Sequence, residues 1–306
     1  MKPYQIGIDL GGTKAETILF NPAGEVLYRT RVPTPRNEDK AKNYHEILAT
    51  VQELILDTAR QIPAAGKYTV GIGIPGTINQ ETQLVQNANT TSLRGRPFQS
   101  DLEKRLKGKV SMENDANCFT LAESVAGAAK EYGIVLGIIM GTGCGGGICI
   151  HGNIHAGSQN IAGEIGHFSL DPKGPRCWCG NRGCIETKLS GTGVENAYYE
   201  TFNEHLKMTD IVQGYRNNDP RCTKVFLQFL DDFGRCIGGL ISILDPDAII
   251  LGGGLSNIDE LYSQGVGKVR RYAFHAHIQT PILKNSLGDS AGVYGAAWIG
   301  MGEHVA

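Results

Sequence analysis

Apolar runs divide the first 130 residues into strands and helices. The pattern predicts short strands at 4–10, 16–20, 25–32, 70–74 and 110–113. Apolar side chains recur at helical spacing between residues 43 and 60, so a helix is expected there, and a second helix is expected at about 116–130. Mixed strands followed by alternating strands and helices are typical of an α/β fold.

The second half of the chain begins with the same pattern. A strand at 134–140, a glycine turn at 141–147 and a strand at 148–150 repeat the N-terminal strand, turn and strand about 130 residues later. An internal duplication explains this and predicts two similar lobes around a cleft. We expect a small lobe formed by residues 1–117 and 290–306, and a large lobe formed by 118–289. The large lobe would contain a long helix at 223–244 and a strand at 248–251, and the small lobe would end in a helix at 292–300.

Composition and charge exclude several classes of protein. The net charge is −2, with acidic and basic residues interspersed, which disfavours a nucleic-acid binder with a basic tail. The longest uncharged stretch, 132–163, is interrupted by glycines, so no membrane helix is predicted. The N-terminus lacks the apolar segment of a signal peptide, so we expect a cytoplasmic protein whose eight cysteines form no disulfide framework.

Three glycine-rich loops follow predicted strands, at 11–14, 141–147 and 252–254. Backbone N–H groups in such loops can converge on a phosphate. Neither a P-loop nor a dinucleotide-binding pattern is present, because no Gly-Lys pair precedes Ser or Thr and the G-x-G-x-x-G matches contain Pro75 or run into a strand. Asp9 stands two residues before the first loop, where it can hold a Mg²⁺ ion that bridges nucleotide phosphates. Alternatively, Asp9 only caps a tight hairpin.

The first loop, Asp9-Leu-Gly-Gly-Thr-Lys, resembles the phosphate-1 motif of the actin and sugar-kinase superfamily. The loop at 141–147 resembles the phosphate-2 motif of that superfamily, and the loop at 252–254 resembles its adenosine motif. The resemblance implies a two-lobed, actin-like and ribonuclease H-like fold that binds Mg-ATP. The residues that it implies for Mg-ATP are Asp9, Gly11, Gly12, Thr13, Lys14, Gly141, Thr142, Gly143, Gly252, Gly253 and Gly254.

Three cysteines, Cys177, Cys179 and Cys184, lie within eight residues together with two glycines. Thiolates at this spacing are typical of a metal knuckle, and His167 is the best candidate for the fourth tetrahedral ligand. We favour structural zinc. A disulfide, unrelated free thiols and an iron–sulfur cluster remain as alternatives.

Asp115 lies at the junction between a predicted strand and a predicted helix. Asn and Asp are favoured helix caps, so capping is one interpretation. The end of a strand near the lobe junction also faces the cleft of a two-lobed protein, where a carboxylate can accept the proton of an attacking hydroxyl. The two roles are compatible.

The segment Gly163-Glu-Ile-Gly-His167, followed by the cysteine knuckle and Glu186, resembles the signature of the ROK family of bacterial sugar kinases and repressors. The resemblance implies that Asp115 is the catalytic base, that zinc is structural and that the protein is a homodimer. The residues that it implies for the sugar are Gly76, Asn89, Asn114, Asp115, Glu164, His167 and Glu186. Only eight residues precede Asp9, so we expect no DNA-binding domain and favour a kinase over a repressor.

Finer resemblance concerns the acceptor. The segment 87–98, with Asn87-Ala-Asn-Thr-Thr91 and Gly95-x-Pro-Phe98, and Cys144 in the second glycine loop look like bacterial fructokinases with mannokinase activity. This implies phosphorylation of the 6-hydroxyl of fructose or mannose. An N-acetylglucosamine kinase or glucokinase of the same family is the alternative, and a catalytically silent sugar sensor is the alternative outside the kinases.

Overall fold

The computed structural model describes residues 2–64, 66–275 and 277–301. The chain forms two compact units: Met1–Val125, Cys149–Ala162 and Asp289–Ala306 make up the first, and Ala126–Ile148 and Gly163–Gly288 make up the second. The first unit thus extends to residue 125, beyond the expected boundary at 117, and it also takes in 149–162. The physical reason is that the helix starting at Asp115 packs in full against the C-terminal helix and against residues 153–154.

The strands and helices of the described residues are numbered in chain order. The strands are β1 Tyr4–Leu10, β2 Lys14–Phe20, β3 Val26–Pro33, β4 Tyr68–Ile74, β5 Thr77–Ile78, β6 Val85–Gln86, β7 Ser111–Asn114, β8 Ile134–Met140, β9 Cys144–Ile150, β10 Asn153–Ile154, β11 Ala248–Gly252 and β12 Ile282–Lys284. The helices are α1 Lys40–Ala59, α2 Phe98–Leu106, α3 Asp115–Val125, α4 Glu186–Leu189, α5 Gly191–Phe202, α6 Met208–Arg216, α7 Pro220–Leu244, α8 Gln264–Tyr272 and α9 Ala291–Ile299.

Two five-stranded mixed sheets share one topology. Their spatial orders are β3-β2-β1-β4-β7 and β10-β9-β8-β11-β12, so in each sheet the strands run third, second, first, fourth and fifth. In both sheets the fourth strand is parallel to the first and to the fifth. Strands β8 and β9 each start 130 residues after β1 and β2. The expected α/β class is confirmed, and the shared order is what an internal duplication predicts.

Helices cover both faces of the first sheet. On one face α1 packs Ile47, Val51 and Ile55, which are fully buried, into a core with the apolar side chains of β1 and β4. The helix starts where Asp39 accepts hydrogen bonds from the amides of Ala41 and Lys42. On the other face α9 buries Val293 and Ala297 against β2. Each apolar stripe thus matches a sheet face, which is why these elements form.

The core of the second unit is built around α7. Asp219 caps its N-terminus, Pro220 occupies the first turn and Asp245 ends it in the left-handed conformation. Its fully buried Phe226 and Phe233 belong to the same core as β8 and β11. Helices α6 and α8 pack on its sides. This arrangement holds the carboxyl ends of β8 and β11 in place.

Several predicted boundaries were wrong, two of them by four or more residues, and several elements were not predicted. The turn expected over 141–147 ends at Gly143, because β9 begins at Cys144 and continues through the remaining glycines. Helix α3 ends at Val125 and not near residue 130, because Gly127 and the turns around it follow. Sequence reasoning did not identify the helices α2, α4, α5, α6 and α8 or the short strands β5, β6, β10 and β12.

Candidate active site and metal cluster

The carboxyl edge of the first sheet collects the polar residues predicted for catalysis. Strands β1, β4 and β7 are parallel neighbours, and their register pairs Asp9 with Gly73 and Gly73 with Glu113. Because parallel strands end at the same edge, Asp9, Gly76 and Asp115 all lie there. The structure therefore brings together the predicted magnesium ligand and the predicted base.

Asp9 is in an unfavourable environment for a negative charge. Burial, followed by the nearby charges of Asp115 and Glu16, raises the pKa of its carboxyl to about 7 against the opposing effect of Lys14 and Arg31. Local positive charge is therefore insufficient to keep this carboxylate ionised. A divalent cation would supply the missing charge, so Asp9 suits a Mg²⁺ ligand.

The first glycine loop is fixed by hydrogen bonds from β3 and the segment after it. The amide of Gly11 donates to the carbonyl of Lys14 at 2.9 Å, and the Thr34 hydroxyl donates to the carbonyl of Gly11 at 2.7 Å. The Arg36 guanidinium donates to the carbonyl of Gly12 at 3.1 and 3.2 Å. Sequence reasoning missed Arg36, which adds a positive charge at this loop and has no signal in the motif itself.

The helix-capping interpretation of the segment around Asp115 is observed. The Asn114 side-chain oxygen accepts from the amides of Ala116 and Asn117 at 2.9 and 3.3 Å, and its Nδ2 donates to the carbonyl of Gly76 at 3.2 Å. Asp115 Oδ1 accepts from the amide of Ala116 at 2.8 Å. Asn114 therefore caps α3 and is also hydrogen-bonded to Gly76, another predicted sugar-binding residue. Asp115 lies at the positive end of the helix.

The second and third glycine loops lie together at the carboxyl edge of the second sheet. Strand β8 leads into Gly141, and its parallel neighbour β11 leads into Gly253. A Cβ atom on Gly253 would lie 2.4 Å from the carbonyl oxygen of Met140, so only glycine allows this approach. The amide of Gly191 also donates to the carbonyl of Gly141 at 2.7 Å. The first loop belongs to the other unit.

The segment from Gly163 to His167 lies directly against β9. Gly163 has φ +88°, and a Cβ on Gly166 would lie 2.0 Å from the carbonyl oxygen of Cys144. Glycine at both positions lets the two backbones touch and places Glu164 and His167 beside the second loop. Burial raises the pKa of the Glu164 carboxyl, and the charge of Glu186 raises it further, which shows that these two carboxylates are close.

The predicted metal ligands converge in the second unit. The donor atoms of His167, Cys177, Cys179 and Cys184 all lie within 4.8 Å of one another. The His167 Nδ1 is 3.7 Å from the Cys177 sulfur, and the sulfurs of Cys179 and Cys184 are 3.6 Å apart. A tetrahedral zinc site with Zn–S bonds of about 2.3 Å has edges of about 3.7 Å, so this donor set fits zinc. The eight cysteines are all described, and each is a free thiol.

Glu186, the first residue of α4, connects this cluster to the second glycine loop. Its Oε2 accepts the amide of Cys144 at 3.1 Å, and its Oε1 accepts the indole N–H of Trp178 at 2.6 Å. Sequence reasoning predicted Glu186 and missed Trp178, although an aromatic residue between two cysteines of the predicted metal knuckle was a visible signal. Asn89 is exposed in the segment that follows β6.

The sequence profile of the ROK family matches residues 5–302. The chain belongs to the ROK family. This ROK protein is 36% identical over 308 residues to an N-acetyl-D-glucosamine kinase of Yersinia pseudotuberculosis, a match that covers 97% of this chain and 99% of the relative.

Solved structures of the family resemble this ROK protein along nearly its whole length. The ROK hexokinase of Thermus thermophilus has a TM-score of 0.84 at 29% identity, with 96% of each chain covered. A ROK glucokinase of Streptomyces griseus, crystallised with glucose and AMPPNP, has a TM-score of 0.80 at 26% identity over 98% of this chain and 100% of that one. Among the described residues of this ROK protein, every helix is too short or too polar to cross a lipid bilayer.

Proposed function

We propose that this ROK protein is an ATP-dependent sugar kinase that transfers the γ-phosphoryl group of ATP to the 6-hydroxyl of a hexose. The observation that carries the proposal is the placement of Asp9 and Asp115 at one sheet edge, where the first carboxylate is buried and only partly compensated by nearby cations and the second begins a helix. Phosphoryl transfer needs both a metal-bound nucleotide and a base for the acceptor hydroxyl. Membership of a family with sugar-kinase relatives supports the same assignment.

Asp115 is the base in this proposal. Its carboxylate accepts the proton of the 6-hydroxyl as the sugar oxygen forms a bond to the γ-phosphorus. The bond from that phosphorus to the bridging oxygen of the β-phosphate breaks, and ADP leaves. Asp9 would hold Mg²⁺, which neutralises charge on the phosphates when bound with ATP. Backbone amides of the first glycine loop and the Lys14 ammonium would provide further positive charge.

Sugar recognition is proposed for the second unit as well. With zinc held by three sulfurs and His167 Nδ1, the other ring nitrogen of His167 is left for a sugar hydroxyl. Glu164 and Glu186 lie near each other and offer carboxylate oxygens to neighbouring hydroxyls. Three cysteines and His167 would fill the four positions of a tetrahedral zinc ion, so a bound ion would fix His167 and the knuckle and take no part in the chemistry.

Fructose or mannose is the proposed acceptor, and the segment 87–98 supports this choice. The segment is packed in place: Leu93 and Phe98 are fully buried, and Asn43 donates to the Ser92 hydroxyl at 3.0 Å. The amide of Gly95 donates a hydrogen bond to the carbonyl of Val85 at 2.8 Å. A segment held this firmly presents fixed side chains, so its likeness to fructokinases bears on specificity.

N-acetylglucosamine is the second candidate. Relatives that match along nearly all of this chain, at 36–39% identity, carry the name N-acetyl-D-glucosamine kinase. The two candidates make opposite predictions for a substituent at C2 of the sugar, because an N-acetyl group needs space and an amide partner that a hydroxyl does not need.

A coupled ADP-release assay with Mg-ATP on zinc-loaded protein tests the proposal across fructose, mannose, glucose and N-acetylglucosamine. We expect fructose or mannose to have the highest kcat/KM. A lead for N-acetylglucosamine would reject the acceptor and keep the kinase. Absence of turnover with retained sugar binding would instead indicate a sensor.

Replacement of the base separates chemistry from binding. Asp115→Asn should lower kcat at least 1,000-fold with sugar affinity nearly unchanged, because the amide cannot accept the proton but keeps the cap. Asp39→Asn is the matched control, since Asp39 also caps a helix and has no role in the chemistry. Substantial activity in Asp115→Asn would remove Asp115 as the base.

A further inference from the structure

Trp178 stands between two of the clustered cysteines and contacts two predicted sugar ligands. Its indole N–H donates to Glu186 Oε1 at 2.6 Å. Its ring meets the His167 ring edge-on, with centroids 4.9 Å apart and an interplanar angle of 89°. The residue is 49% exposed, so neither contact is explained by burial in a core.

The Glu186 carboxylate is held through both of its oxygens. Oε1 accepts from Trp178, and Oε2 accepts the amide of Cys144, which directly follows the second glycine loop. A carboxylate that is fixed at both oxygens has one orientation, and its remaining lone pairs point in set directions. Without the indole N–H, one oxygen would lose its partner and the side chain could rotate.

We propose that Trp178 is a positioning residue for acceptor binding: its indole N–H orients Glu186 toward the sugar and ties the metal knuckle to the second glycine loop. This inference rests on the proposed function. It assigns a task to a residue that is not itself a metal ligand. Because Glu186 would contact the sugar before and during transfer, loss of the N–H should weaken sugar binding more than it slows the chemical step.

Trp178→Phe removes the N–H and keeps an aromatic ring against His167. We expect the sugar Kd from calorimetry to rise about tenfold, as for loss of one hydrogen bond to a charged group, with kcat within about threefold of wild type. Zinc content should be unchanged, because all four donors remain. Trp298→Phe is the matched control, since the only other tryptophan of the chain packs on Phe20 in the first unit.

A double-mutant cycle tests whether Trp178 acts through Glu186. In a Glu186→Ala background the Trp178→Phe change should alter the sugar Kd less than twofold, because the acceptor of the hydrogen bond is gone. In the Trp298→Phe background the sole indole N–H signal in a ¹⁵N–¹H spectrum should move when Glu186 is replaced by Ala. This readout is independent of activity.

The outcomes separate this role from the proposed function. An unchanged sugar Kd in Trp178→Phe, beside a wild type that binds hexose, would overturn the role of Trp178 alone. An equal loss with and without Glu186 would also overturn it. A wild type that binds none of the four hexoses would overturn the proposed function and this role together.

Discussion

Asp9→Asn should stabilise the protein while abolishing its activity. The carboxyl of Asp9 has a pKa near 3.8 in the unfolded chain and about 7 in the folded protein. Between these values the folded state binds the proton and the unfolded state does not, so stability falls as the pH rises from about 4 to 7 and then levels off. Asparagine has the same shape and no charge, and it avoids this cost.

The size of the effect follows from the shift in pKa. A difference of about 3 pKa units corresponds to about 4 kcal/mol of unfolding free energy at pH 8. At pH 5 the same linkage gives about 2 kcal/mol, because most of the loss has yet to occur. The buried amide has a desolvation cost of its own, so we expect Asp9→Asn to raise the Tm by about 5 °C at pH 8 and by less at pH 5.

The assay is thermal unfolding of both proteins at pH 5 and pH 8, without nucleotide and with Mg-ATP. Mg-ATP should raise the Tm of wild type much more than that of Asp9→Asn, because a neutral amide oxygen is a weaker Mg²⁺ ligand than a carboxylate. Asp57→Asn is the control, since Asp57 is exposed on α1 and ion-paired with Arg60. If Asp9→Asn were less stable than wild type at pH 8, the buried charge of Asp9 would not be destabilising. The same conclusion would follow if the increase in Tm did not grow between pH 5 and pH 8.

Two further substitutions probe the metal cluster and the support of Asp9. Cys179→Ser should lose its zinc, as measured by elemental analysis, and its affinity for sugar should fall at least tenfold. Normal sugar binding by the zinc-free protein would show that the cluster does not position the sugar ligands. Gly292→Ala should raise the KM for Mg-ATP several-fold at nearly unchanged Tm, because its Cβ would lie 2.9 Å from Asp9 Oδ2 and displace that carboxylate. Gly239→Ala in α7, which has open space around it, is the control, and an equal KM in both variants would reject the displacement.

Sequence reasoning predicted the elements that carry an uninterrupted apolar run or a long apolar stripe. Strands β1 and β8 were predicted with the observed bounds, because every alternative register would expose an apolar run. The long helix α7 was predicted from its apolar stripe, with a start three residues late because Asp219 and Pro220 are a cap signal outside the stripe. The hydrophobic pattern therefore predicted all five strands of the first sheet, but only β8, β9 and β11 of the second.

The shorter helices of the second unit escaped prediction for physical reasons. Lys207 before α6 is not a favoured capping residue, and Ser263 before α8 makes no side-chain capping hydrogen bond, so local signals for both helices are weak. Both are held by packing on α7, which is a tertiary effect. Element type in short polar segments depends on such contacts more than on propensity.

The residues of the candidate site also fall into those that the sequence predicted and those that it did not. Asp9, Asp115 and the cysteines were predicted because each lies inside a compact local motif. Arg36 escaped prediction because its hydrogen bonds to Gly12 join residues 24 positions apart through the β2–β3 hairpin. No local spacing records a contact made by chain reversal, and only the folded structure reveals it.

The duplicated sheets explain why one unit has the acidic chemistry. The 130-residue offset that aligns β1 with β8 places Ile139 at the position of Asp9 and Cys144 at the position of Lys14. The second copy thus keeps the strand, turn and strand and lacks both charged groups of the first. Its turn offers backbone amides and the uncharged Thr142 hydroxyl, and the Cys144 amide donates to Glu186. Under the proposed function, metal binding by Asp9 and proton transfer by Asp115 belong to the first copy, and the cysteine cluster and the proposed acceptor contacts belong to the second. The second copy needs no buried carboxylate at its turn for that division.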